Sequence, residues 1–485
     1  MGRAKRTTRR NFLAHTAVGG ASLLVAGSRV FGANDAIRMG FIGLGGRGSG
    51  STKWFSDVKG VRVAGLSDPD EGRLGANKKR YPDAAAHKDL RKLLDDKSLD
   101  AVVISTCNHW HALAAVWAVQ AGKDVYVEKP VSWSVWEGRQ MVEAARKHNR
   151  IMQAGTQQRS DPMQAKLKAW LDEGHLGKIK YVRLNRYGRR GSIGKRSTPM
   201  EIPDNVDYDL WLGPAEDKPI YRKKLQYDWH WVWNTGNGEL GNWGPHLTDD
   251  CRNVVFRDKV TLPVRCVAGG GRFKWNDAGN TPNTHFIYFD TGVVPVIMDV
   301  HNLPRKAGQN ASDVYEKRRT RAFLIIECEN GYYAGGRGGG AAYDLNGKRM
   351  KKFSGNAGGG HAANFIKAVR SRKTSDLNAP IEQGHYSTAW CHCGNVAYRL
   401  GGAYGKEEAK ARVKGYKPWE EVIDGFHAHL DANKIVPKKA DIRLGPMLEI
   451  DPKTETLKGA DATAEAKAVW TGQDRGWRGD YQIKV

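Results

Sequence analysis

Arg38-Met39-Gly40-Phe41-Ile42, running straight into Gly43-Leu44-Gly45-Gly46-Arg47-Gly48, is an apolar stretch that breaks into a G-x-G-x-x-G turn. A glycine triplet of that spacing says little by itself. Here it closes a predicted strand and opens a predicted helix, and it stands 20 positions ahead of Asp68 in Ser67-Asp68-Pro69-Asp70. Each glycine has its own physical task. Gly43 permits the tight turn, Gly45 lets a pyrophosphate approach the backbone, and Gly48 allows helix and sheet to pack closely. Gly46 and Arg47 complete the turn, and the helix behind them offers free N–H groups and partial positive charge to phosphates. Asp68, ending the second predicted strand, is placed to accept hydrogen bonds from adenosine ribose hydroxyls and repels a 2′-phosphate. The stretch reads as a dinucleotide site that favours NAD over NADP.

Outward from this turn, strand candidates at 38–42, 61–67, 101–106, 124–127 and 151–154 alternate with amphipathic stretches at 111–120 and 135–148. That alternation predicts an α/β domain over 36–157 with a doubly wound parallel sheet, the Rossmann arrangement. The pattern then changes. A helix at 163–173 is followed by strand-like runs at 179–186, 265–269, 284–289, 293–299 and 322–327, with few helices between them. An α+β domain over 158–403, built on a large and mostly antiparallel sheet, is the expectation. Glycine-rich 335–340 and 358–360 read as loops, and 362–372 and 387–400 as helices that pack back on the body. The C-terminal extension, 404–485, loses periodicity and reads as an extended tail over the surface or a neighbouring subunit.

The 485 residues allow two or three domains and a large core. The chain opens with Arg3, Lys5 and Arg6, then Thr8-Arg9-Arg10-Asn11-Phe12-Leu13 and an apolar run to Ala26. Residues 1–33 therefore read as a twin-arginine signal peptide, set aside before fold is argued. The run is short and interrupted by His15, Thr16, Gly19 and Gly20. No stable membrane span is expected after processing, and the expected location is periplasmic or otherwise exported.

Six of the 77 basic residues and none of the 52 acids fall in 1–33, so the remainder still carries +19. Such a field favours anionic partners in general, whether acidic or sulfated sugars, anionic lipid surfaces or nucleic acid, and a small-molecule or glycan substrate is the expected one. The basic residues are scattered and no nucleic-acid motif accompanies them, so nucleic acid is not an expected partner. Six cysteines in so long a chain do not make a disulfide scaffold. Cys391-His392-Cys393 has the look of a metal clip. No second ligand pair has zinc-site spacing, and on a helix the two thiols point to different faces, so no metal is expected.

Two further segments fall at the carboxyl edge of the predicted sheet, where ligands bind in open α/β folds. Thr106-Cys107-Asn108-His109-Trp110-His111 closes the third major strand and Glu128-Lys129-Pro130 the fourth. A lysine at that edge faces a cationic nicotinamide and partial desolvation. Both lower its pKa, so Lys129 can accept or relay a proton near neutral pH. Downstream, Gly238-Glu239-Leu240-Gly241-Asn242-Trp243-Gly244-Pro245-His246-Leu247-Thr248-Asp249 sets Asn242 and His246 four apart, on one face of a helical turn. Aromatic rings thicken just before it, at Trp211, Tyr227, Trp229, His230, Trp231 and Trp233. Flat aromatic faces suit the C–H faces of sugar rings.

With these segments the chain resembles the Gfo/Idh/MocA family, named for glucose–fructose oxidoreductase, inositol dehydrogenase and rhizopine catabolism. The resemblance runs from about 37 to 401 and is strongest in the first domain. It implies that Thr106, Asn108, His111 and Gln157 join the glycine turn and Asp68 in holding NAD, and that Glu128 takes the nicotinamide-side ribose. It implies too that Lys129 contacts the reacting hydroxyl, and that His246 is the acid/base with residue 242 orienting it. Gln158 and Arg159 would line the cleft beside Gln157, while His361 and His385 are secondary candidates. Cys107 stands where the family usually has proline, and Asn242 where it often has aspartate. An amide can orient an imidazole but cannot stabilise its charge, which shifts proton work toward Lys129. The family also implies a homodimer or homotetramer.

The leading functional reading is an exported NAD-dependent oxidoreductase acting on a sugar, sugar derivative or cyclitol. An exported compartment offers no free pool of NAD, so the cofactor would be held tightly and recycled on the enzyme. The alternative is a redox-neutral, NAD-dependent glycoside hydrolase or lyase. A third is a non-catalytic sugar-binding protein on the same scaffold.

Overall fold

The strands at 101–104, 124–127 and 152–154 of the first sheet are buried throughout, as a parallel sheet covered on both faces requires, while its edge strand at 85–87 is largely exposed. The computed structural model describes residues 36–309, 323–438 and 441–485. The predicted leader, 1–33, lies outside the described residues. Six parallel strands, β1 (Ile37–Ile42), β2 (Val61–Ser67), β3 (Ala85–His87), β4 (Ala101–Ile104), β5 (Asp124–Val127) and β6 (Met152–Ala154), lie in the order β3-β2-β1-β4-β5-β6. The order reverses direction between β1 and β4, which sets a crevice at their carboxyl ends. Helices α1 (Gly46–Ser56), α2 (Glu71–Arg80), α3 (Leu90–Leu94), α4 (Asn108–Gln120) and α5 (Val135–Lys147) make the crossovers. In α4 every residue except Trp117 and Gln120 is buried, so it packs inside the protein as well as on the sheet. The start of α5 is set by Ser134, whose hydroxyl accepts from the Glu137 N–H, while Glu137 reaches back to the Trp133 N–H. β3 and α3 escape the sequence reading because they are short, and α2 because it is mostly polar.

The second domain carries α6 (Pro162–Asp172), β7 (Ile179–Tyr187), α7 (Tyr208–Leu212) and the long α8 (Gly238–Val254). These are followed by β8 (Arg265–Gly271), β9 (Thr284–Asp290), β10 (Val296–His301), β11 (Leu324–Cys328), β12 (Gly331–Gly336), β13 (Gly339–Asp344) and β14 (Arg349–Ser354). Helices α9 (His361–Ser371) and α10 (Ile381–Arg399) close it. Its large sheet runs β14-β13-β12-β11-β7-β10-β9-β8, antiparallel throughout except for the β7–β10 pair. The α8 and α10 helices pack against one face and against each other. They approach closely at Gly244, where an added side-chain carbon would sit 2.6 Å from Cys391 Sγ.

Two expectations are corrected. The glycine-rich 335–340 is no loop: Gly335 pairs with Gly340 and Gly336 with Gly339 across the β12–β13 hairpin. Side chains at Gly335 or Gly340 would strike the Tyr333 hydroxyl, so the glycines make room for that ring. The last 82 residues are not an extended tail either. β15 (Gly402–Ala403) and β16 (Arg443–Leu444) extend the sheet beyond β8, β17 (Leu448–Asp451) also pairs with β8, and β18 (Thr456–Lys458) pairs with β17. Helices α11 (Lys406–Ala411) and α12 (Lys417–Ala432) cover the outer face of β8–β10 with Trp419, Phe426 and Leu430 against Phe286 and Ile297. Helix α13 (Ala464–Thr471) then returns to the first domain, where Arg475 pairs with buried Glu137 at 3.1 Å. Most of these elements are too short to show a period, but Trp419, Val422, Ile423, Phe426 and Leu430 recur at three and four spacings along α12, a helical signal the sequence reading passed over.

The Cys391-His392-Cys393 run is buried on α10, with His392 Nε2 against the Ser132 carbonyl at 3.2 Å. Among the described residues no group of three or more His, Cys, Asp or Glu side chains could hold a metal ion. Among them also, no helix is long and apolar enough to cross a membrane.

Candidate active site

The glycine turn is built for close approach. Gly43 has φ +83°, and a side-chain carbon there would lie 2.7 Å from the Ser105 carbonyl oxygen. At Gly48 it would lie 1.8 Å from the Gly43 carbonyl oxygen, so helix and strand can meet only if that position is bare. Gly45 caps α1 without a side chain, which leaves the first N–H groups of the helix open to the cleft. Asp68 braces the turn: Oδ2 accepts from the Leu44 N–H at 2.6 Å and Oδ1 from the Asp70 N–H at 2.9 Å. Burial pushes its carboxyl above the usual range, against the pull of those two donors. A carboxylate has about four acceptor positions, so Asp68 can still take ribose hydroxyls.

A cleft of about 470 Å³ runs from this turn to α8, lined by both domains. Beside the turn, Glu128 Oε1 accepts from Arg47 Nε at 2.8 Å and from Gln157 Nε2 at 3.0 Å. Its second oxygen, Oε2, is buried without a partner. Gln157 also donates to the Tyr126 hydroxyl at 3.0 Å. The Lys129 ammonium donates to the backbone carbonyl of Asn242 at 2.8 Å and lies 3.5 Å from its side-chain oxygen. Burial, with Arg47 and Arg337 nearby, pushes Lys129 down to about 8, against the pull of Glu128 and Glu239.

Asn242 does not orient His246 as the family pattern implies. Its amide donates instead to Glu239 at 3.2 Å, and its oxygens face Lys129. His246 shares the cleft, but its Nδ1 is buried without a partner. Burial and the charge of Lys129 hold its imidazole neutral, well below the ordinary histidine value. Such a ring can hydrogen-bond a hydroxyl but is a weak base.

The other expected residues divide into liners and braces. Thr106, Asn108 and His111 line the cleft. Asn108 donates to Asn237 at 3.0 Å, and both His111 nitrogens meet carbonyls, of Pro130 at 2.6 Å and Thr106 at 3.1 Å. Gln158 and Arg159 turn away: Gln158 donates to Asp250, and Arg159 is buried between Asp249 and Asp258 at 2.8 and 2.7 Å. His361 bonds Ser160 and the Ala154 carbonyl, and His385 bonds Glu455. Of the aromatics, Trp211, Tyr227, Trp229 and His230 line the cleft; Trp231 and Trp233 do not.

A strap from the second domain, residues 188–237, crosses the adenosine end. The Glu71 N–H donates to the Asn205 carbonyl at 2.9 Å and the Asp207 N–H to the Pro69 carbonyl at 3.0 Å. Asp70, which caps α2, also accepts from the Asn205 amide at 3.0 Å and the Gln226 amide at 3.3 Å. Arg478 and Tyr481 from the C-terminal segment bind Asp209 on the strap's outer side. Sequence reading missed Gln226, Arg190 and Arg337 in the cleft. They lie in irregular chain or in a hairpin turn, and only the density of glycine around Arg337 marked its place.

Residues 37–156 match the family model described as "Oxidoreductase family, NAD-binding Rossmann fold", and 187–313 match its "C-terminal alpha/beta domain". The chain belongs to the Gfo/Idh/MocA oxidoreductase family. Within it, the chain is 29% identical over 191 residues to inositol 2-dehydrogenase of Salmonella typhimurium, covering 38% of this chain and 56% of that protein. It is 34% identical over 144 residues to inositol 2-dehydrogenase 2 of Saccharopolyspora erythraea (29% of this chain, 42% of that protein). A glycosyl hydrolase family 109 protein of Shewanella pealeana is 33% identical over 120 residues, 23% of this chain and 26% of that protein. The chain spans about half or less of the curated relatives it matches.

The WlbA dehydrogenase of Bordetella pertussis, solved with NADH and UDP-GlcNAcA, shares the fold. Its TM-score is 0.54 at 17% identity, over 75% of this chain and 97% of that one. An NAD-binding oxidoreductase from Klebsiella pneumoniae shares it too, at TM-score 0.51 and 16% identity, over 74% and 96%. Gfo/Idh/MocA proteins take NAD in this domain, and the residues here fit it. The bare Gly43–Gly48 turn, the open end of α1 and the orphaned Glu128 Oε2 supply a phosphate cradle and an unused acceptor.

Proposed function

We propose that this protein oxidises a secondary alcohol of a sugar, sugar derivative or cyclitol, with Lys129 moving the hydroxyl proton. The observation that carries this reading is Lys129 itself. It is held on α8 by the Asn242 carbonyl, at the end of the cleft that begins at the dinucleotide turn. Its neutral amine accepts the hydroxyl proton, and the Asn242 carbonyl keeps the nitrogen on station. Neutral His246 donates or accepts a hydrogen bond that fixes the hydroxyl. Tyr227, Trp229 and His230 offer ring faces to the substrate and keep water out. Bound NAD supplies the hydride acceptor. Geometry contributes much of the rate, through contact between the reacting carbons.

The cofactor is held captive and reset on the enzyme. Two observations support that. The 1–33 leader has the twin-arginine pattern of proteins exported after folding, and the 188–237 strap bonds to the Asp70 turn at the adenosine end. Denaturing the purified protein then releases NAD(H) near one per chain. An empty supernatant would remove the captive-cofactor reading, and periplasmic fractionation of the tagged chain tests export. A redox-neutral glycosidase is the second reading, favoured by the family 109 relative and by the same enclosed cofactor. Aryl glycosides separate the two. Aglycone release without net NADH supports the glycosidase, and cofactor reduction by free sugars supports the oxidoreductase.

A further inference from the structure

Six basic side chains line the cleft: Arg47, Arg73, Lys88, Lys129, Arg190 and Arg337. Four of them have carboxylate partners. Arg47 pairs with Glu128, Arg73 with Asp70, Lys88 with Glu71 and Arg190 with Glu239. Lys129 is anchored on a neutral carbonyl and works as the amine. Arg337 remains. It occupies the two-residue turn of the β12–β13 hairpin, with Gly338 at φ +79°, so the large sheet delivers it to the cleft on a short and well-braced element. Its hydrogen bond is to the Gln157 side-chain oxygen at 3.3 Å, a neutral acceptor at long range. It lines the same cleft as Lys129 and His246, and its partner Gln157 also bonds Glu128, the residue before Lys129.

Resting on the oxidoreductase reading, we infer that the substrate carries a carboxylate that docks on Arg337 beside Lys129. A guanidinium fork matches a planar carboxylate in two parallel hydrogen bonds. The charge count fits a single negative charge. With Lys129 neutral during proton transfer, Arg337 is the one cation among the described lining residues that makes no direct ion pair, its acidic neighbours Asp250 and Glu128 acting on it only at longer range. The dinucleotide phosphates have their own receptor in the α1 N-terminus. A sugar acid such as a uronate therefore completes the cleft, where a neutral sugar leaves the guanidinium to water and an amide.

The test uses cofactor-loaded protein and matched pairs: glucose with glucuronate, galactose with galacturonate, mannose with mannuronate. Binding is measured by calorimetry and reduction of bound cofactor by nicotinamide absorbance. At least one uronate should bind about 10–100-fold more tightly than its neutral partner, the range for a hydrogen-bonded charge pair. Arg337→Gln should bring that ratio toward one, and Arg337→Lys should keep part of it, with NAD content equal in all three proteins. The inference is overturned if no uronate is preferred, if Arg337→Gln leaves the ratio unmoved, or if that variant loses NAD instead. Uronate binding that depends on Arg337, without any cofactor reduction, would sink the oxidoreductase reading and leave this one standing.

Discussion

Lys129, at the end of a first-domain strand, donates to the backbone carbonyl of Asn242 on a second-domain helix at 2.8 Å. The Lys129 amine is thereby located by both domains at once, and by a backbone atom that no substitution at 242 removes. Side-chain chemistry at 242 then tunes the amine without having to place it.

The pH dependence follows from Lys129. Only its neutral form accepts a proton, and its folded value is pushed down to about 8. Oxidation by cofactor-loaded protein should rise as pH passes about 8 and level above it. Lys129→Met should lose about 10²–10⁴-fold in rate, flatten the profile and keep its NAD. A variant that still turns over with the same profile would show that another group takes the proton.

The same shift has a stability consequence in cofactor-free protein. Because the folded value lies below the unfolded value of about 10.4, the unfolded chain holds more protons between the two. This group's contribution to stability should therefore rise as pH goes from about 8 to about 10.4. Lys129→Met should lack that rise and melt at a higher temperature at neutral pH. Melting curves across that pH window measure it.

Asn242→Asp sets a carboxylate beside Lys129, where the amide oxygen now lies 3.5 Å away. Opposite charge favours the ammonium form, so the rise in the oxidation profile should move up by roughly one pH unit. The new acid also faces Glu239, 3.2 Å from the present amide nitrogen. A lower melting temperature is expected alongside. An unmoved profile would mean that Lys129 is not the titrating group.

The strap should govern release of the cofactor. Gln226→Ala and Asn205→Ala each remove a hydrogen bond to Asp70, and each should speed NAD loss by roughly 5–10-fold, with a larger effect when combined. Dialysis against a NAD scavenger, followed by acid release, reads the retained fraction. Equal retention in all variants would leave the strap without that role.

Two alanine substitutions two residues apart should differ sharply in outcome only if the turn packs as described. Gly48→Ala drives a methyl into the Gly43 carbonyl and should cost more than about 2 kcal/mol or prevent NAD binding. At Gly46 nothing lies within 4 Å of the added carbon, so Gly46→Ala should fold with unchanged or slightly higher stability. Denaturant midpoints with and without NAD decide it.

The first domain was legible because its residues repeat one rule: apolar strand, turn, helix. The G-x-G-x-x-G spacing, Asp68 and Glu128-Lys129-Pro130 are local in sequence and fall at predictable strand ends, so the NAD-binding fold could be read directly and Lys129 named as the candidate amine. The hairpin around Arg337 was misread because glycine that clears space for Tyr333 looks the same in sequence as glycine in a loop. Arg159 was misread for a related reason. Gln157 does face Glu128, but two residues further along the 3-10 turn Arg159 points away, toward Asp249 and Asp258.

By itself the sequence determined the Rossmann sheet and its cofactor turn, because short-range sterics and strand-end position suffice for each, and it singled out the Lys129 amine through the resemblance carried by Glu128-Lys129-Pro130. Only the tertiary structure decided what surrounds that amine. Asn242 serves Lys129 and not His246, the strap reaches Asp70 across more than a hundred residues, and Arg337 arrives from the far sheet. These are pairings between segments distant in the chain, and burial of a shared core, not local pattern, brings them together.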